Sequence, residues 1–111
     1  MYNKPMKSKV KKVINILHKR LKEQFPDFKG AYLYGSYAKN TSHKYSDIDL
    51  VVLFDKEPDM DKRFKIWDIV CPLEAEYDVF FDINPTTMDS LIKNSFYHEE
   101  VVNKGIYYDA A

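Results

Sequence analysis

The stretch DIDLVVLF, residues 47–54, constrains the fold more than any other part of the chain. Side chains alternate between the two faces of a strand, yet this one is apolar without a break from Leu50 to Phe54. It is therefore expected to be buried on both faces, with two acids, Asp47 and Asp49, at its mouth. At 111 residues the chain has the length of one domain, 1–111, with a single core and no room for a separate substrate domain. A second substrate would have to meet a shallow surface.

The rest of the chain supplies elements to cover such a strand. Val10, Ile14, Leu17, Leu21 and Phe25 recur every three or four positions, which predicts one amphipathic helix from about Lys7, ended near Pro26. KGAYLYG reads as a strand running into Gly35. Between it and the apolar strand lie mostly polar and small residues, 36–46. Met60, Phe64, Trp67 and Cys71 lie on one side of a second helix, which Pro72 is expected to break or kink. EYDVFFDINP gives a third strand, on which Asp78, Phe80 and Asp82 share a face. Thr86 or Thr87 is expected to cap a short helix, and the tail EEVVNKGIYYDA reads as a helix followed by a brief strand.

Composition narrows the partners. Seventeen basic and seventeen acidic side chains cancel, so the charge balance gives no reason to expect nucleic acid or an anionic membrane as partner. The lysines crowded into the first twenty-odd residues, Lys4 to Lys22, read as a solvated helix face rather than a phosphate patch. The single cysteine, Cys71, reads as a small buried hydrophobe. With no signal peptide and no apolar run near the ~20 residues of a membrane span, a cytoplasmic location is expected.

The chemistry centres on the acids. Asp47 and Asp49 are two residues apart on a strand, so their carboxylates project to one side about 6 to 7 Å apart along the chain. Like charges so placed repel, and a cation between them relieves the repulsion. Oxygen ligands with room for water and phosphate suit magnesium. Asp82 or Asp78 on another strand can supply a third carboxylate, and three acids can hold two metal ions for in-line displacement at phosphorus. Gly35 lets backbone approach a ligand closely, and Ser36 can offer amide and hydroxyl to phosphate, especially where a helix starts. A pair of this kind alone is weak evidence, because sugar transferases also use such acids on metal.

Spacing decides. Gly35 and Ser36, ten residues, then Asp47-Ile48-Asp49 resembles the signature of the DNA polymerase β-like nucleotidyltransferase superfamily. GSYAKNTSHKYSDIDL is more narrowly similar to the minimal nucleotidyltransferases, or MNT proteins, small members often encoded beside a HEPN-domain partner. The resemblance implies an α/β (α+β) fold, a small mixed β-sheet flanked by helices. It implies a magnesium-dependent nucleotidyl transfer, with ATP as the substrate and AMP moved to a partner protein, and two Mg2+ ions. Gly35 and Ser36 would hold the triphosphate, Asp47 and Asp49 the metals, with Asp82 as third ligand and Asp78 its close rival. Where many relatives carry arginine after the GS pair, Tyr37 stands here and the nearest basic residue is Lys39, which lacks the planar fork of arginine. The resemblance further implies an antitoxin whose partner is a HEPN toxin. The alternative is a module that neutralises that partner by contact alone.

Other residues have quieter readings. His18 is read as helix surface and His98 as a loop or helix start, with His43 a minor candidate for touching nucleotide. Tyr32, Tyr34 and Tyr45 flank the motif and are read as core or rim packing, with a place beside the base as the alternative.

Overall fold

The computed structural model describes residues 8–39, 41–42 and 46–110. His43, Tyr45, Lys4 and Lys7 lie outside the described residues.

The first helix, α1 (Ser8–Gln24), buries Val10, Val13, Ile14, Leu17 and Leu21, while Lys9, Lys11, Lys12, Lys19, Arg20 and Lys22 face solvent. That division is the amphipathic one, and the lysines are a solvated face. After it come β1 (Phe28–Tyr34), β2 (Ile48–Phe54), α2 (Met60–Tyr77) and β3 (Phe81–Thr86). Two short helices, α3 (Met88–Lys93) and α4 (Ser95–Tyr97), lead into a π-helical segment, His98–Asn103, and then β4 (Ile106–Asp109). Asp59 caps α2, its carboxylate accepting from the Lys62 N–H at 2.8 Å, and Thr87 caps α3 in the same way at 3.1 Å. The strands form one four-stranded sheet in the order β3-β2-β1-β4. β1 runs antiparallel to β2 and to β4, whereas β3 is parallel to β2. A parallel neighbour needs a crossover, and α2 is that crossover.

β2 is covered on both faces, as its composition requires. Leu50, Val52 and Phe54 pack with α1 and with Ile66, Val70 and Leu73 of α2. Val51 and Leu53 pack against Leu91 and Val101 on the opposite face. Each fully buried aliphatic side chain of this kind contributes about 1.5–3 kcal/mol, so the sheet and its two layers depend on one another.

The structure departs from the sequence reading at α2. This helix carries two apolar stripes, and the core takes the one made of Ile66, Val70 and Leu73. Met60, Phe64 and Trp67 are instead 64%, 62% and 44% exposed, and Cys71 is exposed with them. Branched aliphatic side chains fill the space over a sheet more closely than the larger, irregular set. Pro72 does not break the helix, which continues to Tyr77. It does end at Asp78, which adopts the left-handed conformation at φ 52° and donates its N–H to the Glu74 carbonyl. Asp78 is therefore a helix cap and not a strand residue, and β3 begins only at Phe81. The Phe81 N–H donates to Glu74 Oε2 at 2.9 Å, pinning that start. His18 is also more than helix surface: its Nε2 lies 2.8 Å from the Asp109 carbonyl and its ring meets Phe28 edge-on, 5.0 Å between centroids. No helix among the described residues is long and apolar enough to cross a membrane.

Candidate active site

The acids meet where β1, β2 and β3 lie side by side. Pairing sets Tyr34 opposite Asp49 on one side and Asp82 opposite Asp49 on the other. Because faces alternate, Asp47, Asp49 and Val51 share a sheet face with Asp82 and Asn84. Of the two rivals for the third carboxylate, Asp82 is brought beside Asp49, and Asp78 is left at the end of α2.

Burial and crowding both act on Asp49. Its pKa is pushed from 3.8 to about 6 by burial first, then by the Asp82 and Asp47 carboxylates and by a hydrogen bond shared with Asp82. Asp47 and Asp82 themselves are exposed. An Asp49 carboxylate that resists ionisation through burial and then through its acidic neighbours is the electrostatic complement of a cation. No group of three or more His, Cys, Asp or Glu side chains among the described residues already stands in metal-binding geometry.

Gly35 is required by its surroundings. Its φ is +73°, and a Cβ there would collide with Asp49 Oδ2. The glycine therefore permits both the turn out of β1 and the close approach of backbone to the acid. A hydrogen-bonded turn follows, in which the Lys39 N–H donates to the Gly35 carbonyl at 3.1 Å and the Thr41 N–H to the Ser36 carbonyl at 2.9 Å. The amides that open such a turn have no acceptor within it, which suits an anion beside Ser36.

Two residues weighed for phosphate are committed elsewhere. The Tyr37 side chain is 9% exposed and packs into the core, where burial and then Asp47 raise its pKa. Lys39 Nζ donates to Glu100 Oε2 at 2.8 Å, and Lys104 holds the other oxygen of the same carboxylate at 3.2 Å. A phosphate would have to draw Lys39 out of that pair.

Sequence reasoning read Tyr34 as core or rim packing and passed over its hydrogen-bond partner at the floor of the site, Asn84. Asn84 Nδ2 donates to the Tyr34 hydroxyl at 3.0 Å, and the Tyr97 ring meets Tyr34 edge-on. Burial, then Tyr97, Asp49 and Asp82, drive the Tyr34 pKa well above the usual phenol range, so it stays a neutral hydroxyl. The signal was present in the alternation, since Asn84 stands two residues after Asp82 and Tyr34 directly before Gly35.

A mixed four-stranded sheet with a glycine turn and three acids at one end defines a nucleotidyl-transferring class of protein. Comparison with known proteins agrees. Residues 11–105 match the family model described as polymerase beta, nucleotidyltransferase. A candidate protein adenylyltransferase of Methanocaldococcus jannaschii is 34% identical over 74 residues, which are 67% of this chain and 72% of that one. A second from the same organism is 36% identical over 66 residues, 60% of this chain and 66% of its own length. Among solved structures, a toxin–antitoxin complex with AMP-PNP is 29% identical with a TM-score of 0.64, over 84% of this chain and 69% of that chain. A chain in the structure of a tri-AMPylated Shewanella oneidensis HEPN toxin in complex with MNT antitoxin is 25% identical, TM-score 0.59, over 87% of this chain and 69% of that chain. The chain belongs to the polymerase β nucleotidyltransferase family.

Proposed function

We propose that this chain transfers the adenylyl group of ATP, with magnesium, to a hydroxyl of a HEPN-domain partner, acting as the antitoxin of a toxin–antitoxin pair. The observation that carries the reading is the pairing of Asp49 with Asp82 across β2 and β3, two residues from Asp47 and against the Gly35 turn. The adenylyltransferase and toxin–antitoxin relatives supply the substrate and the partner.

Gly35 and Ser36 hold the triphosphate against the mouth of β2. Asp47, Asp49 and Asp82 would hold magnesium, which when bound neutralises charge on the phosphates and lowers the pKa of a bound hydroxyl. The acceptor oxygen attacks the α-phosphorus, the bond from that phosphorus to the β-phosphate oxygen breaks, and pyrophosphate leaves. Asp82, exposed at the edge strand, receives the acceptor proton. Tyr34, held neutral and bonded to Asn84, keeps the floor beneath Asp49 from adding a further negative charge.

The test is incubation of the purified chain with α-labelled ATP, magnesium and the HEPN-domain protein of its genomic neighbourhood. Label transfer is expected, and it should fall about 100-fold or more in Asp47→Asn and in Asp49→Asn. Neutralisation of the toxin that survives both changes, with no label transferred by the wild type, would establish neutralisation by contact alone and end the enzymatic reading.

A further inference from the structure

An open cleft of about 330 Å³ begins one residue pair beyond the acids on the same sheet face. Val51 and Asn84 form its floor, and it wraps the outer edge of β3, which is an edge strand of the sheet. Arg63 of α2 stands on one bank, and Asn94 and Tyr97 stand on the other. Pro85 removes a backbone donor from that edge, so side chains rather than a strand ladder must do the recognising.

The polar groups left open to a ligand are specific. Glu57 already accepts from the Thr86 and Ser90 hydroxyls, which closes the far end. Asn84 spends its amide N–H on Tyr34 and keeps its oxygen, whereas Asn94 spends its oxygen on the Tyr97 N–H and keeps its NH2. Arg63 pairs with no acid among the described residues. One acceptor, one amide donor and a guanidinium match the N–H, the C=O and a carboxylate of a polypeptide. The elements that carry these residues also hold large exposed apolar side chains, Phe64 on α2 at 62%, Ile92 on α3 at 53% and Phe96 on α4 at 65%. A nucleotide has no use for these, but a protein surface has.

We infer that this cleft, with the exposed apolar side chains of α2, α3 and α4, is the docking site for the acceptor protein, receiving an exposed segment that carries a carboxylate for Arg63 and leads the acceptor hydroxyl to Asp82. The inference rests on the acceptor being a protein, as proposed above, and its test separates the two. Affinity for the HEPN-domain protein is measured on the Asp47→Asn/Asp49→Asn chain, where no transfer is needed, with AMP-PNP affinity measured in the otherwise wild-type chain. Arg63→Glu and Ile92→Asp, both at the surface, should each raise the partner Kd about tenfold or more. AMP-PNP binding should stay within about twofold, and Lys19→Glu on α1 should change neither affinity. An unchanged partner Kd, or no binding by the parent chain, overturns the inference. So does an equal loss of AMP-PNP affinity, which would give the cleft to the nucleoside, or a homodimer in sedimentation that these variants dissociate, which would give it to a second copy. Intact docking without label transfer would sink the enzymatic reading and leave the docking site standing.

Discussion

Gly35 and Asp49 are a coupled pair, and substitution at either has a calculable direction. Gly35→Ala adds a Cβ at φ +73° and drives it into the Asp49 carboxylate. The expected cost is about 1–3 kcal/mol in thermal unfolding, with transfer reduced about 100-fold or more as the acid is displaced. Asp49 should also shape stability against pH. Its carboxyl holds a proton in the folded chain up to about pH 6 but only to 3.8 when unexceptional. Between these values the folded state binds more protons, so stability falls as pH rises through the window and levels off above it. Melting temperatures of the metal-free protein from pH 4 to 8 should show that fall, and Asp49→Asn should flatten it. An unchanged slope in the variant would mean that the burden lies on another group.

Among the elements, α2 determines which acid joins the site. Its left-handed cap at Asp78 ends the helix and delays β3 until Phe81, which brings Asp82 into register with Asp49. Asp78→Asn, which tolerates that backbone conformation, should leave label transfer within about twofold, whereas Asp82→Asn should reduce it about 100-fold. Pro72→Ala restores an interior helix hydrogen bond and should stabilise the fold by about 1–3 kcal/mol in chemical denaturation. The sequence resolved what was local. Gly35, Ser36, Asp47 and Asp49 stand within one short stretch, and the pairing of two strands adjacent in the chain is enough to set the Gly35 turn against Asp49. The choice between Asp78 and Asp82 hung on where a helix would stop, which a cap and a Glu74 contact decide. The burial of Tyr37 and the Lys39–Glu100 pair depend on elements distant in the chain, and the two apolar stripes of α2 read alike until a sheet selects one.

At the scale of the whole molecule, the candidate site stands on a sheet whose two layers hold one another in place, so occupancy by a ligand should stabilise all of it. Magnesium with AMP-PNP at 100 times its Kd should add about 2.7 kcal/mol to unfolding free energy, and Asp49→Asn should abolish the gain. A shift that persists in the variant would locate the ligand elsewhere. The parallel pairing of β2 with β3 has a consequence in time. The antiparallel β1–β2 pair can bring the Gly35 turn to Asp49 across one loop, but Asp82 arrives only after α2 has crossed over and docked. A nascent or half-folded chain thus carries the glycine turn and two acids without the third. In refolding, transfer should return no earlier than the slowest structural phase, so that a chain still lacking its third acid leaves an acceptor untouched.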